Sequence, residues 1–146
     1  MPRVKLLSHS SALLPSALCV VVSLCVGHES SAQNASMPKI GEIAGGNVVL
    51  LESRTVKKAG DEITATLRTV FAKPTKAPGG EWFGSRTLVT VRCKAGTAAV
   101  KENRYYSDAK FNKIASEKIV GIPGYGAPVP GSVTAVAHKH LCATKP

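Results

Sequence analysis

The chain contains few aromatic residues and no hydrophobic segment long enough to cross a membrane. Aromatic side chains make up 5% of its 146 residues, with a single tryptophan. Proteins that bind single-stranded nucleic acid stack bases on several aromatic side chains in a basic groove, so this composition argues against specific nucleic-acid binding. The apolar run from Ala12 to Val26 contains Pro15 and covers about fifteen residues, whereas a membrane-spanning helix needs roughly twenty. We therefore predict a chain without a transmembrane anchor.

Motifs of common enzyme classes are also missing. The sequence has no Cys-x-x-Cys pair of a redox protein and no Gly-x-Ser-x-Gly turn of a hydrolase. His138 and His140 are the only histidines after residue 32, and with Cys142 they form an H-x-H-x-C sequence. Residues two apart on a helix point to different sides, so a shared metal ion would require a strand at this position. We predict a non-enzymatic protein without a cofactor or a metal site.

The N-terminus has the pattern of a cleavable export signal. Arg3 and Lys5 precede the apolar run, and small residues follow it at Ser30-Ser31-Ala32. We predict a signal peptide over residues 1–32, a flexible leader over residues 33–45 and one folded domain over residues 46–146. The protein is thus expected to be exported, to the periplasm or to the cell surface.

The charge is strongly basic, with a formal net charge of +10. A basic excess of this size raises affinity for polyanions of every kind without selecting among them. The alternative interpretation is that the charge serves only solubility in the cell envelope.

The distribution of apolar residues predicts an α+β fold. Residues 62–71 alternate, with Ile63, Ala65, Leu67 and Phe71 on one face, which is the period of a strand with one wet side. The predicted strands are residues 47–53, 62–71, 85–93 and 98–106, with a short strand at 118–122. Residues 57–61 are predicted as a turn, and residues 73–80 as a loop because they hold two prolines and two glycines. We expect an antiparallel sheet of about five to six strands.

The C-terminal segment predicts a short helix over residues 133–141, packed on the sheet. Ser132 is suited to accept a hydrogen bond from an amide of the first turn, and apolar residues recur at spacings of three and four. Cys142 follows this helix, and Cys93 faces the core from its strand. A bridge between them would fasten the helix to the sheet; the alternatives are an intermolecular bridge or two free buried thiols.

Trp82 and Phe83 stand beside the lysine-bearing segment 73–80. Two interpretations apply to this pair. It is either an exposed aromatic anchor of an interface or, as is more common, part of the core.

Several short motifs occur in a familiar order. They are Ser85-Arg86 at the entry to a strand, Val91-x-Cys93, Tyr105-Tyr106, Pro130-Gly131-Ser132-Val133 and a final Cys142. Over residues 46–142 the chain resembles the surface-adhesin protein E family of small exported bacterial proteins. The resemblance implies an antiparallel sheet with a C-terminal helix packed on it and the two cysteines paired.

The same resemblance implies a binding function. The founding adhesin of this family binds host matrix and serum proteins such as laminin, vitronectin and plasminogen. We therefore predict an exported binding domain for extracellular-matrix, serum or envelope proteins. The alternative is a basic periplasmic protein that binds polyanions by charge or has a structural role in the envelope.

Overall fold

The computed structural model describes residues 37–143. The predicted signal peptide and the first part of the predicted leader lie outside the described residues. The strands are β1 Lys39–Ile43, β2 Asn47–Leu51, β3 Lys57–Ala59, β4 Glu62–Ala77, β5 Gly80–Arg92, β6 Thr97–Tyr106 and β7 Ile114–Ile119; the helix is α1 Val133–Ala143, and short 3-10 turns cover Ala44–Gly46 and Ser53–Thr55.

All seven strands form one antiparallel sheet, so the predicted architecture is confirmed. The strand order is β1-β2-β4-β5-β6-β7, and β3 pairs with β4 beyond the end of β2. The two strands that raise the number above the predicted five to six are β1 and β3. Their residues had been predicted as leader and as turn.

The hydrophobic core lies between one face of the sheet and α1. Ile63, Ala65 and Leu67 of β4 are buried there, as the alternation predicted, whereas Phe71 is only half-buried. Ala137 and Leu141 of α1 complete the core from the helix side. We call the sheet face under α1 the helix face and the opposite one the open face.

Helix α1 is fixed at both ends. At its start, the Ala135 amide donates to the Ser132 hydroxyl over 3.2 Å, as predicted for this cap. At its end, a disulfide joins Cys142 to Cys93, with the Cα atoms 5.5 Å apart. The helix extends to Ala143, two residues further than predicted, so Cys142 belongs to its last turn rather than following it.

The leader prediction is wrong over residues 39–45. Lys39–Ile43 pairs with β2, and Ala44–Gly46 forms the turn between them. Gly41 allows this strand to approach the helix, because a Cβ atom there would lie 2.8 Å from a methyl carbon of Val136. The small and glycine-bearing composition therefore reflects close packing rather than flexibility.

The loop predicted at residues 73–80 is also wrong, since β4 and β5 continue into a hairpin whose turn is Pro78-Gly79. Pro74 is tolerated because the register shifts between Val70 and Thr75, where β4 bulges away from β5. The last strand lies at Ile114–Ile119, four residues before its predicted start at Lys118. The predicted turn at residues 57–61 shrinks to Gly60-Asp61 because β3 occupies its first half.

Candidate interaction surface

The cysteines singled out in the sequence serve the fold, and His138 and His140 lie on the same helix as Cys142. Cys142 is bonded to Cys93, so it has no thiolate to offer a metal ion. His138 lies on α1 with its Nε2 atom buried and, within residues 37–143, without a hydrogen-bond partner. Among residues 37–143 there is no group of three side chains suited to hold a metal ion. The disulfide fastens the end of α1 to the end of β5 and is structural.

The aromatic pair has a packing role in the structure. The ring of Trp82 stacks on Tyr105 with 4.1 Å between centroids and 19° between planes. Both Trp82 and Phe83 are half-buried. The interpretation as packing residues fits this geometry better than that of an exposed anchor.

A row of three arginines crosses the centre of the open face. Arg68, Arg86 and Arg104 are neighbours in register on β4, β5 and β6. Glu52 accepts two hydrogen bonds from Arg86, at 2.8 and 2.6 Å, and lies 3.6 Å from Arg68. The bidentate contact with Glu52 raises the pKa of Arg86.

The third arginine, Arg104, is paired with two acidic residues. Arg104 donates to Glu117 of β7 and lies 2.8 Å from Glu102. Its hydrogen bond to Glu117 is the main reason that the pKa of Arg104 is raised. Because each arginine has an acidic partner within the fold, the row does not provide free positive charge for a ligand.

A second charged cluster fastens the connector between β7 and α1 to the open face. The Tyr125 hydroxyl donates to Glu62 over 2.7 Å, and Lys101 donates to the other oxygen of Glu62 over 3.2 Å. Arg92 lies over the Tyr125 ring at 3.6 Å from its centroid. The hydrogen bonds with Tyr125, Thr90 and Lys101, in that order of size, lower the pKa of Glu62 from 4.5 to about 2.

Hydrogen bonds to one carboxylate fix the turn between β6 and β7. The Asp108 carboxylate accepts hydrogen bonds from the backbone amides of Lys110, Asn112 and Lys113. Within the turn, Phe111 has a φ of 61°, a conformation that non-glycine residues seldom adopt. These constraints set where β7 begins.

The Phe111 ring is inserted onto the open face. It lies 4.6 Å below the Arg68 guanidinium and 5.0 Å from the Tyr106 ring. Gly84 leaves room for it, because a Cβ atom there would overlap both Phe111 and the Thr69 carbonyl oxygen. The turn before β7 is therefore anchored to β4, β5 and β6.

In contrast to its surroundings, β7 itself is exposed along its whole length. It pairs with β6 on one side, and within the described residues no strand pairs with its other side. Ile114 and Ile119 are opposite Tyr106 and Glu102, so both face the open side, where they are 54% and 67% exposed. An unpaired strand edge has backbone donors and acceptors available to another chain.

A shallow groove of about 560 Å³ runs beside β7 on the open face. Its apolar lining includes Leu88, Ile119, Ile122 and Pro123. Ile122 is 92% exposed. The unpaired edge and this groove together form what we call the β7 surface.

The β7 surface is flanked by lysines without acidic partners. Lys110, Lys113 and Lys118 are exposed, and none takes part in an ion pair within the part of the chain described. Of the nearby acids, Glu102 and Glu117 pair with Arg104, whereas Asp108 accepts neutral backbone amides and keeps its negative charge. The surface is therefore apolar at its centre, with three exposed lysines and the Asp108 carboxylate near its margin.

Comparison with protein families confirms the resemblance found in the sequence. A family model described as surface-adhesin protein E matches residues 38–143. The chain belongs to the surface-adhesin protein E family. Among curated proteins, none gives a significant match.

The family match coincides with the observed fold. It begins one residue before β1 and ends with the last residue of α1. The surface-adhesin domain thus starts earlier than the predicted boundary at residue 46, because β1 is part of the sheet. Over residues 37–143 no helix is long and apolar enough to cross a bilayer.

The β7 surface was not identified from the sequence of this family member. The segment that the sequence did single out is the lysine-bearing one before Trp82, and it forms the β4–β5 hairpin. The segment that contains β7 is polar and lacks a clear alternation. The sequence feature that could have identified the surface is the pair Ile114 and Ile119. Lysines flank this pair, and the rest of the strand is too polar to be buried in a core.

Proposed function

We propose that this protein is an exported, non-enzymatic binding protein that captures other proteins at the β7 surface. The observation that carries the proposal is the exposure of all six residues of β7 beside an unpaired edge. Membership of the surface-adhesin protein E family supports an adhesin-like role at the cell surface.

The proposed mode of binding is the addition of a strand. An extended segment of the partner pairs with the outer edge of β7, and main-chain hydrogen bonds supply much of the affinity. Side chains of the segment that point to the open face contact Ile114 and Ile119, and the groove beside Ile122 receives an apolar residue. Little rearrangement is needed, because the turn before β7 and the connector after it are both anchored.

Charge defines the class of segment. Lys110, Lys113 and Lys118 lie around the β7 surface and outnumber the nearby carboxylate that has no cationic partner among the described residues, Asp108. An extended acidic segment with alternating apolar residues complements this arrangement. Matrix, serum or envelope proteins that carry such segments are the proposed partners.

The alternative of unspecific polyanion binding rests on the net charge of +10. It makes a different prediction, because binding driven by the total charge depends little on which lysine is changed and falls steeply with salt. Two charge reversals with the same effect on net charge separate the two functions.

The test measures binding of the oxidised chain from residue 33 to 146 to a panel of matrix, serum and envelope proteins and to heparin. Lys118→Glu changes β7, whereas Lys94→Glu changes an exposed lysine in the turn before β6. We expect selective binding at physiological salt that Lys118→Glu reduces about tenfold and Lys94→Glu leaves nearly unchanged. Equal losses in both variants, with binding to every anion that disappears at physiological salt, would establish polyanion binding instead.

A neutral pair of substitutions tests the apolar contact. Ile119→Thr removes apolar surface at β7, and Val129→Thr is the matched control because Val129 is also 67% exposed but does not line the groove. Weaker capture by Ile119→Thr alone supports the proposal. Equal binding by both variants would show that the partner does not contact β7.

A further inference from the structure

One corner of the open face carries more positive than negative charge. Two cations share the Glu62 carboxylate there, since Arg92 lies 3.3 Å from one of its oxygens and Lys101 lies 3.2 Å from the other. The Tyr125 hydroxyl donates to the same carboxylate. The side chains of Arg92 and Lys101 remain 45% and 33% exposed. One negative charge therefore faces two positive ones that are both accessible from solvent.

Lys57 of β3 adds a third positive charge to this corner. It is directly opposite Thr64 on β4, which in turn is opposite Thr90 on β5. Residues opposite each other on antiparallel strands point to the same face, and the Thr90 hydroxyl lies 3.5 Å from that of Tyr125 on the open side. Lys57 is exposed and makes no ion pair within residues 37–143. We call Lys57, Glu62, Arg92, Lys101 and Tyr125 the β3 corner.

The acids next to the β3 corner do not remove its excess charge. Glu102 follows Lys101 in the chain but pairs with Arg104. The Asp61 carboxylate accepts the backbone amide of Lys94, and the charges of these two residues offset each other. The β3 corner therefore holds three cations against one carboxylate.

The three cations are spread over three strands, which favours an extended polyanion over a single small anion. Lys57 belongs to β3, Arg92 to β5 and Lys101 to β6. Strands two apart in a sheet are separated by about 10 Å. A polymer that carries anionic groups on successive sugars can contact cations at such separations one after another.

The aromatic residue of the β3 corner is not available for stacking against a base. Arg92 lies over the Tyr125 ring at 3.6 Å from its centroid, and the ring is half-buried. The Tyr125 hydroxyl is engaged with Glu62. Proteins that bind single-stranded nucleic acid stack bases on accessible aromatic rings. The β3 corner therefore fits an anionic polysaccharide better than a nucleic acid.

We propose that the β3 corner binds a sulfated polysaccharide chain. Sulfate groups accept hydrogen bonds from the ammonium groups of Lys57 and Lys101 and from the guanidinium group of Arg92. Among the described residues no strand pairs with the outer edge of β3, so the chain can pass over that edge.

This site is separate from the β7 surface and from unspecific binding by charge. Lys101 and Tyr125 also line the groove beside β7, but Lys57 and Arg92 do not. Unspecific binding depends on the total charge of the chain, whereas the β3 corner assigns the contact to three side chains on one face.

The test measures the affinity of the oxidised chain for a heparin oligosaccharide at several salt concentrations. Lys57→Gln removes a cation from the open face. Lys58→Gln removes its neighbour, which is opposite the buried Ile63 and so points to the other face. We expect Lys57→Gln to weaken binding about fivefold and to reduce the slope of log Kd against log salt by about 1, whereas Lys58→Gln changes the affinity less than about twofold.

The two variants have the same net charge, so equal losses would show binding by total charge and would overturn the proposal. A loss in Lys118→Gln as large as that in Lys57→Gln would place the polysaccharide on β7 and would overturn it as well. Because Lys57 is exposed and makes no ion pair among the described residues, Lys57→Gln should keep the wild-type melting temperature.

Amide resonances followed by NMR during the heparin titration locate the contact. We expect saturable shifts centred on Lys57, Thr64 and Arg92. Shifts confined to β7, or spread evenly over all exposed lysines, would contradict the proposed site.

A single-stranded DNA oligonucleotide with the same total charge as the heparin fragment tests the class of ligand. We expect it to bind at least about tenfold more weakly, because the β3 corner offers its bases no accessible aromatic ring. Equal or tighter binding of the oligonucleotide would show that the corner does not select a polysaccharide.

Discussion

The two outermost strands of the described sheet, β1 and β7, are of similar length but differ in how they use their isoleucines. Ile40 and Ile43 of β1 pack against the core, and Gly41 lets α1 approach closely. Ile114 and Ile119 of β7 remain more than half exposed. The position of a strand at the edge of the sheet therefore does not explain the exposure of β7. β1 therefore completes the core, whereas the isoleucines of β7 stay in contact with solvent, and the proposed binding mode depends on this contrast.

The largest expected effect comes from removing the disulfide that fastens the end of α1 to the end of β5. Replacement of Cys93 and Cys142 by alanine opens a covalent loop with a sequence separation of 49 residues, which the loop-entropy relation values at about 4 kcal/mol. Urea unfolding measures the loss. Hydrogen exchange should accelerate more at β1 and α1 than at β7, and equal acceleration at all three would contradict the distinction between the two edges.

A substitution at the contact between β1 and α1 should have the next largest effect. Gly41→Ala places a Cβ atom 2.8 Å from Val136 and should lower the free energy of unfolding by about 1–3 kcal/mol, as overpacking does. Thermal or urea unfolding checks it. Ser116→Ala in β7 is the control and should change stability by less than about 0.5 kcal/mol. If Val136→Ala fails to recover part of the loss in the double variant, the cause is not this contact.

The pH dependence of stability tests whether Glu62 fixes the connector between β7 and α1 through its hydrogen bond with Tyr125. Because folding lowers the pKa of Glu62 from 4.5 to about 2, the ionised carboxylate stabilises the folded state above pH 4.5, and this contribution is lost as the pH falls towards 2. Glu62→Gln should lower stability at neutral pH and flatten its decline between pH 4.5 and pH 2. Glu81→Gln, at an exposed residue without an ion pair, serves as the control, and an identical acid profile in both variants would refute this role of Glu62.

The smallest expected effect on stability is at β7 itself. Ile119→Thr should cost less than about 0.5 kcal/mol because the side chain is largely in solvent, whereas Ile43→Thr at the other edge should cost about 1 kcal/mol. Chemical denaturation of both variants measures this difference. Equal costs at the two positions would remove the contrast on which the interaction surface rests.

Sequence reasoning recovered the parts of the fold that depend on local periodicity. The alternation of Ile63, Ala65 and Leu67 identified β4 and its buried face, and Ser132 identified the start of α1. It failed where a residue type that usually predicts a loop or a flexible segment has a different structural role in the folded chain. Pro74 signals a loop, but the bulge between β4 and β5 removes the need for its amide hydrogen. The glycines near β1 signal flexibility, but Gly41 is required by a helix that lies almost a hundred residues later in the chain.

The candidate sites could not be predicted for a related reason. The β7 surface depends on which acids are already engaged, and no sequence pattern reveals that Glu117 pairs with Arg104 or that Asp108 binds backbone amides. This property arises from pairing between distant segments, which becomes visible only in the assembled sheet.

The disulfide has a mechanical consequence for a protein that holds a partner. The bond encloses β6, β7 and the connector in one covalent ring, so a pull between the two ends of the chain bypasses the 48 residues between the two cysteines. Fully extended, that segment would lengthen the tether by about 160 Å. An oxidised molecule stretched between its ends would therefore extend less than a reduced one, in which the same segment, with β6 and β7, would carry the load.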